Sequence, residues 1–255
     1  MNIICAKSKV SGLMAAFAMF ASASALALPI TLPTSLLDAN STFTFSSAAV
    51  KALSIADLSV QALGNSRQLS GGGLAFELPV TSVTMSVGLL PPSITPVSGN
   101  AIGSALGIYG VDGGLVLSNF GLDFKNNLLT ADLTTSTGTL KSFSVYSFNV
   151  AQGLDVALNG MSLSMTMQLT NLRLTSGALT SFQDALHLPD FMSAAMKTID
   201  FGTVGVNITP SLRDRYISSN SFIASVTAVP EPGSKTLMFL GLVGLAAVAR
   251  RKMDR

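Results

Sequence analysis

Apolar and polar residues alternate along much of the chain between residues 28 and 217, which is the pattern of half-buried β-strands. Residues 161–169 display it most clearly, with Met or Leu at every second position and Ser, Thr or Gln between them. The alternation changes phase between Val80 and Val83 and again at Asn119. Each change predicts a β-bulge, or a strand that turns its apolar side to the other face.

Residues 154–165 predict one hairpin in detail. The dipeptide Asn159-Gly160 stands between two alternating runs, a strong signal for a two-residue turn. The register that such a loop implies puts three apolar pairs on one face: Leu158 with Met161, Val156 with Leu163, and Leu154 with Met165. A slip of one residue would destroy this agreement, so the pattern favours the hairpin.

Two stretches have helical character. Residues 46–58 can form a short helix with four small or apolar residues on its buried side: Ala49, Ala52, Leu53 and Ala56. Thr180 followed by Gln183 matches a capping box, which predicts that a second helix begins there. Pro189 ends that helix, and a further turn is predicted over residues 190–197.

These patterns predict a mainly β fold: an antiparallel two-sheet, sandwich-like body with one or two short helices, plus an N-terminal signal helix and a C-terminal transmembrane helix. The apolar residues suffice for a core without disulfides. Residues 43–53 and 172–182 have similar sequences, which suggests an internal duplication.

Residues 1–27 have the organisation of a secretory signal peptide. Two lysines precede an apolar run that starts at Val10, and small residues follow it. Ala25 and Ala27 form an A-x-A site, and we expect signal peptidase to cut after Ala27 once the general secretion machinery has exported the chain. Cleavage after Ala25 is the alternative, and an uncleaved N-terminal anchor is less favoured because the apolar run is short.

The sole cysteine, Cys5, precedes the apolar run and would leave with the signal peptide. The mature chain would then hold no thiol for a disulfide, a nucleophile or a thiolate metal site.

The chain ends on a proline-rich segment, an apolar stretch and a basic cluster. Pro230 and Pro232 keep the residues before them extended. Residues 236–249 are uncharged and would form a helix of roughly 21 Å, against a hydrocarbon core of about 30 Å. This predicted transmembrane helix spans the bilayer only if the flanking basic side chains reach the interfaces.

The basic cluster sets the orientation of that helix. Arg250, Arg251 and Lys252 anchor the C-terminal end in the cytoplasm by the positive-inside rule. Residues 28–235 are therefore expected on the outer side of the inner membrane.

This tail resembles the PEP-CTERM sorting signal of exported proteins from Gram-negative bacteria that make exopolysaccharide. The motif residues are Val229, Pro230, Glu231 and Pro232, followed by the apolar stretch and the basic cluster. The resemblance covers the C-terminal tail only. It implies that exosortase, a membrane protease or transpeptidase, cuts the chain near the Pro-Glu-Pro. The alternative is an ordinary tail anchor behind a chance Pro-Glu-Pro.

The chain is thus predicted to have four parts. Residues 1–27 are the signal peptide, 28–217 a β-rich extracytoplasmic body, 218–228 a stalk, and 229–255 the sorting signal with its helix over 236–249.

Charge gives no case for nucleic-acid binding. The net charge is +2, but seven of the 15 basic residues lie in the terminal segments, against two of the 13 acidic ones. Residues 28–228 therefore hold 8 basic and 11 acidic side chains, a mildly acidic body.

The body holds few groups that could do chemistry. His187 is the only histidine and lies near a predicted helix end, where a capping or interior role is commoner than catalysis. Asp112 precedes two glycines and is typical of a turn, without the ligand spacing of a calcium loop. Arg213–Tyr216 is a charged cluster that could dock an acidic polymer, although a solvated loop is favoured. We predict no metal site and no cofactor.

The leading hypothesis is a non-enzymatic surface or extracellular-matrix protein, held transiently in the inner membrane and then sorted and cleaved by exosortase. Its role would be structural or adhesive, linked to exopolysaccharide or biofilm, with extracellular polysaccharide as a candidate partner. One alternative is a secreted polysaccharide hydrolase that uses a pair of carboxylates from among Asp123, Asp132 and Asp155. Another is a protein that stays anchored in the inner membrane with its tail uncut.

Overall fold

The computed structural model of the chain describes residues 28–71, 73–89, 92–159 and 162–226. The predicted signal peptide, the sorting signal with its helix over 236–249, and the hairpin tip at Gly160 lie outside these ranges. Within them the chain forms three helices: α1 (Ser47–Ile55), α2 (Ser176–Leu186) and α3 (Asp190–Met196). Twelve strands account for most of the rest: β1 (Leu28–Pro33), β2 (Leu37–Phe45), β3 (Ser59–Gly64), β4 (Arg67–Gln68), β5 (Ala75–Pro79), β6 (Ser82–Leu89), β7 (Pro92–Tyr109), β8 (Gly114–Asp123), β9 (Leu128–Thr135), β10 (Gly138–Asn159), β11 (Ser162–Leu174) and β12 (Gly202–Leu212).

All twelve strands belong to one curled antiparallel sheet of half-barrel shape. The order is β1-β6-β7-β8-β9-β10-β11-β12-β2-β5-β4, and β3 pairs with the second half of β7. The mainly β prediction is confirmed. The prediction of two sheets is wrong, because β7 and β10 are long strands, with register shifts that let one sheet bend round. The described residues also hold three helices rather than one or two.

The chain joins the two ends of this pairing order. Strand β1 leads into β2 within three residues, and β5 leads into β6 through Val80 and Thr81. The Thr34 amide donates to the Thr81 carbonyl at 2.9 Å, and the Val80 amide donates to the Ala39 carbonyl at 2.8 Å. The break at Val80–Thr81 is the predicted change of phase, which the structure confirms.

The second predicted phase change is confirmed as well. Asn119 has a φ of 53°, in the left-handed region. The pairing of β8 with β9 shifts register between Ser118 and Gly121 at this point. Asparagine tolerates such a φ better than most residues, which explains its place in the bulge.

Both major helices begin in the same way, directly after a strand. The Ser46 hydroxyl accepts from the Ala49 amide at 3.0 Å and caps α1, and the Thr175 hydroxyl accepts from the Ala178 amide at 3.1 Å and caps α2. Ser46 and Thr175 occupy equivalent places in the two similar sequence stretches. The shared strand–cap–helix geometry fits the suggested internal duplication.

Helix α2 starts earlier than the sequence predicted. Its N-cap is Thr175, and the expected capping box at Thr180 is wrong, since Thr180 lies inside the helix and donates to the Ser176 carbonyl. The Thr175 hydroxyl also donates to the Ser144 carbonyl at 2.7 Å, so the neighbouring strand β10 selects this residue as the cap.

Strands β10 and β11 form the predicted hairpin, but the register differs by two residues, and Asn159, predicted as a turn residue, pairs with Ser162. Val156 pairs with Met165 rather than with Leu163. A shift of two keeps every side chain on its face, because the period of a strand is two residues. Of the predicted apolar face, the described side chains of Leu154, Val156 and Met165 are buried or half-buried, although the individual pairs are not as predicted.

The interior of the curled sheet is filled unevenly. At one end, all three helices pack into a large apolar cluster, to which α2 contributes the buried Ala178, Phe182 and Leu186. A smaller cluster lies toward the β6–β7 and β10–β11 hairpins: Ala39, Val80, Val83, Met85, Met165 and Ile208.

Candidate functional site

An apolar cavity lies inside the sheet, between the two clusters. The space in it that admits water-sized groups is about 50 Å³, and part of it is continuous with solvent. Its walls come from both clusters, including Leu78, Phe120 and Met167 from the larger one and Val83 and Met165 from the smaller. This space holds only a few water-sized groups, so it could take no more than a short apolar segment of a ligand.

Two polar side chains of the cavity wall already have partners in the protein. The Ser41 hydroxyl donates to the Leu78 carbonyl at 3.0 Å, and the Asn100 amide donates to the Ser82 hydroxyl at 3.1 Å. With these groups satisfied, a molecule in the cavity would meet mainly hydrocarbon.

Gly99 leaves space in the cavity wall. It is buried in β7, and a Cβ built on it would have no neighbour closer than Leu122 Cδ1 at 4.0 Å. Gly121, which also lines the cavity, is different, because a Cβ there would lie 2.8 Å from Thr130 Oγ1. Sequence reasoning missed the cavity, since no local pattern marks a space formed by many strands.

The candidate hydrolytic carboxylates are held by structural contacts. Asp123 ends β8 and accepts from the Asn126 side-chain amide at 2.6 Å and from the Lys125 backbone amide at 3.0 Å. The Asn126 side chain is the main cause of a lowered pKa for Asp123. These bonds fix the β8–β9 turn.

Asp132 lies on β9 and has three partners. Its carboxylate accepts from Lys141 Nζ at 2.9 Å, from the Ser142 amide at 2.9 Å and from Asn119 Nδ2 at 2.9 Å. Burial raises the pKa of Asp132, but the bonds from Lys141, Ser142 and Asn119 outweigh it and leave the pKa below its ordinary value.

The structure does not bring these carboxylates together. Asp123 pairs with Leu128, and Asp132 lies four residues further along β9, which puts their backbones roughly 13 Å apart at about 3.3 Å per residue. Asp155 is exposed on the β10–β11 hairpin. Within the described part of the chain, no group of three or more His, Cys, Asp and Glu side chains could hold a metal ion.

The remaining sequence candidates have local roles. His187 is exposed and forms the left-handed C-cap of α2, with φ 52°. This confirms the capping role and excludes the interior one. The residues around Asp112 make the turn from β7 to β8, where the Gly110 amide donates to the Gly113 carbonyl at 2.9 Å.

The C-terminal segment of the body, residues 213–226, follows β12 and packs against the sheet. Arg213 begins it and is partly buried; its guanidinium donates to the Asn40 side chain at 2.7 Å and to the Ala39 carbonyl. Burial lowers the pKa of Arg213 from its ordinary value. The predicted solvated charged loop is therefore tied to strand β2 at its first residue.

Asn65 binds this segment through both ends of its side-chain amide. Its Oδ1 accepts from the Ser218 backbone amide at 3.0 Å, and its Nδ2 donates to the Ser218 carbonyl at 2.8 Å. The same Nδ2 also donates to the Ile102 carbonyl at 3.1 Å. The side-chain amide of Asn65 thus pairs with the backbone of Ser218 in the way that a neighbouring strand would.

Asn119 repeats this arrangement four residues later. Its Oδ1 accepts from the Phe222 amide at 2.8 Å, and its Nδ2 donates to the Phe222 carbonyl at 3.1 Å. Its Oδ1 also accepts from the Gly103 amide at 3.1 Å. Sequence reasoning marked Asn119 only as a bulge, and the phase change was the one signal that could have drawn attention to it.

Two glycines let the segment approach this closely. Gly103 has φ +78°, and a Cβ there would lie 2.5 Å from Asn65 Nδ2 and 2.9 Å from the Ser218 carbonyl oxygen. A Cβ on Gly64, at φ +60°, would lie 2.8 Å from a ring carbon of Phe222. Only glycine fits either position. The predicted stalk, residues 218–228, therefore begins docked on the body, through Ser218 and Phe222.

The sequence-predicted site residues of the two termini lie outside the described ranges: Ala25, Ala27, Val229, Pro230, Glu231, Pro232, Arg250, Arg251 and Lys252. Among the residues that the structure does describe, none of the helices has the length and hydropathy needed to cross a membrane.

Comparison with protein families finds one match, in the tail. Residues 228–252 match the PEP-CTERM protein-sorting motif, which confirms the resemblance inferred from the sequence. The match indicates exosortase-dependent sorting to the cell surface, with exosortase as the processing partner. It covers the tail alone.

Comparisons of the whole chain add one similar structure. No curated protein matches the sequence. Among solved structures, the crystal structure of the heme-binding protein HtaB from Corynebacterium glutamicum is similar with a TM-score of 0.37 and 10% identity, over 73% of this chain and 98% of that one.

Proposed function

We propose, from the PEP-CTERM motif in the tail, that the chain is an exported, non-enzymatic surface or extracellular-matrix protein that exosortase cuts near Pro230–Pro232. The single observation that carries this proposal is the motif at residues 228–252, placed directly behind the folded, β-rich body. Before the cut, residues 236–249 would hold the protein in the inner membrane. Afterwards the body would remain in the exopolysaccharide layer, in a structural or adhesive role.

The non-enzymatic part of the proposal rests on the carboxylates. A glycosidase needs two carboxyl groups about 5–10 Å apart across its cleft. Asp123 and Asp132 are further apart than this along β8 and β9, and both are engaged by neighbouring amides or by lysine. This arrangement favours a structural role for both residues.

The experiment is to determine the mature C-terminus by intact-mass spectrometry of protein from the medium, the outer layers and the membranes. We expect a species that ends near Pro230–Pro232 outside the inner membrane, and its loss in a strain without exosortase. A P230A/E231A variant should accumulate at full length in the membrane. Full-length wild-type protein confined to the inner membrane would instead support the uncut anchor.

The apolar cavity favours a second role for the body, the binding of the end of one hydrocarbon chain. The walls are apolar, and Ser41 and Asn100 hydrogen-bond within the protein, so the ligand segment inside would carry no hydrogen-bonding groups. A polar head group would stay at the solvent-facing opening.

Gly99→Leu tests this role, because its side chain would fill the cavity from a position with space for a Cβ. We expect the purified protein to bind a fluorescent polyene fatty acid, and Gly99→Leu to weaken that binding by about tenfold or more, the equivalent of roughly 1.4 kcal/mol. The matched control is Gly153→Leu, since Gly153 is an exposed strand glycine at which an added Cβ would meet no atom within 4 Å. Equal affinities in the two variants would exclude the cavity as the site.

A further inference from the structure

We propose that Asn65 and Asn119 form a clamp that confines sorting to the motif, by holding the chain that leads to it against the body. The clamp is defined as these two side-chain amides and their bonds to Ser218 and Phe222. The inference rests on the proposed processing by exosortase.

The clamp hydrogen-bonds the backbone N–H and C=O groups of Ser218 and Phe222, as a neighbouring strand would in a sheet. Each asparagine both donates to and accepts from one residue, with all four distances between 2.8 and 3.1 Å. A protease binds its substrate as an extended chain through these same backbone groups. Residues held by the clamp are therefore withdrawn from such binding.

The clamp sits where the sheet leaves backbone groups unpaired. The pairing of β7 with β8 is interrupted between Ala101 and Ala105, and Gly103 in this gap donates to Asn119. On its other side, Gly103 accepts at its carbonyl from the backbone N–H of Asn65, at 2.9 Å. The docked segment thus covers the bulges of both strands, so its docking is coupled to the geometry of the body.

Beyond the clamp, little free chain remains before the motif. The stretch from Phe222 to Val229 spans at most about 24 Å when fully extended. Without the clamp, Arg215 would still donate to the Asn65 backbone carbonyl and Ile217 would stay buried, so the free chain would start after Ile217 and reach about 41 Å. The clamp therefore shortens the chain that links the body to the Pro-Glu-Pro and holds the polar segment before it against the body.

The test uses the full-length chain produced in its native host, with the termini of the product determined by intact-mass spectrometry. Asn119→Gly removes the amide while keeping a residue suited to φ 53°, and Asn65→Ala removes the other half. The matched control is Asn127→Gly, which changes another asparagine of left-handed φ (54°), exposed in the β8–β9 turn. Phe222→Pro removes the backbone N–H that donates to Asn119 and changes no residue of the sheet.

We expect the wild type and Asn127→Gly to give one terminus, near the motif. The clamp variants and Phe222→Pro should give additional termini within residues 218–226. A single terminus at the motif in all variants would overturn the inference.

Hydrogen exchange on the full-length protein separates this failure from failure of the proposed function. The Ser218 and Phe222 amides should be protected in the wild type, and Asn119→Gly should speed exchange at Phe222 roughly 10- to 100-fold, as expected for loss of about two hydrogen bonds. Unprotected amides in the wild type would refute the clamp. Protected amides in a wild type that is never cut at the motif would refute exosortase processing, and with it the role assigned to the clamp.

Discussion

The two ends of the curled sheet differ in how extensively apolar side chains fill the interior. Among the residues whose burial the structure describes, 30 apolar ones form one cluster at the helical end, beneath α1, α2 and α3. Of the same described residues, six form the cluster toward the β6–β7 and β10–β11 hairpins, and the cavity lies between the two groups. The helical end is therefore packed more extensively than the hairpin end. Substitutions at the two ends should change the free energy of unfolding by unequal amounts.

The largest effect is expected at the helical end. Phe182 is 2% exposed in α2, and Phe182→Ala should lower the free energy of unfolding by about 3–5 kcal/mol. The control is Phe191→Ala in α3, whose ring is 70% exposed and whose removal should cost no more than about 0.5 kcal/mol. Urea unfolding followed by circular dichroism measures both, and similar costs would contradict the packing described for α2.

A smaller loss is expected in the six-residue cluster. Met165 is 5% exposed and lines the cavity, so Met165→Ala enlarges a space that already exists. We expect a loss of about 2 kcal/mol, at the low end for removing a buried side chain of this size. The same urea experiment applies, and a loss equal to that of Phe182→Ala would abolish the contrast between the ends.

Two glycines of the cavity wall sharpen the comparison further. Gly121→Ala should cost about 1–3 kcal/mol, because the new Cβ would lie 2.8 Å from Thr130 Oγ1 and 3.3 Å from Asn100 Oδ1. Gly99→Ala meets no such contact and should be neutral or stabilising by up to about 1 kcal/mol. Thermal unfolding of the two single variants checks the sign, and destabilisation by both would mean that the wall at Gly99 is closed.

The smallest effect concerns pH. Asp132 has a folded-state pKa below its ordinary value of 3.8, so it stabilises the protein above that pH, and the contribution is lost as the pH falls through the folded value. Because Lys141 is 68% exposed, we expect their pair to contribute less than about 1 kcal/mol.

Asp132→Asn should therefore flatten the fall in stability below about pH 4, measured as the urea midpoint against pH. Lys141→Met should flatten it less, because the Ser142 and Asn119 bonds remain. An unchanged pH profile in Asp132→Asn would show that other carboxylates carry the acid sensitivity.

The sequence predicted what depends on local periodicity. The strands, the break at Val80–Thr81 and the apolar face of the β10–β11 hairpin all follow from alternation with a period of two. The hairpin register was wrong by two residues, because alternation cannot distinguish shifts by an even number. The start of α2 was wrong because a contact with the distant Ser144 selected Thr175 as its cap.

The features that form the candidate sites depend on long-range contacts instead. The cavity requires the curvature of the whole sheet, which the sequence expressed only as bulges. The clamp requires Asn65 and Asn119 to meet a segment more than 100 residues away, through backbone groups that any sequence possesses. Because these contacts involve backbone groups of the segment, the order of its side chains does not predict them.

The pairing of β2 with β12 has a consequence for the order in which the body can form. These strands are neighbours in the sheet but lie near opposite ends of the body's sequence. Their register joins Phe45 to Gly202 and Leu37 to Leu212. Contacts of such high sequence separation form late and slowly. In a chain that emerges from the export channel N-terminus first, the sheet cannot be completed until β12 has been delivered. Final closure of the sheet would then coincide with the arrival of the segment that precedes the sorting motif.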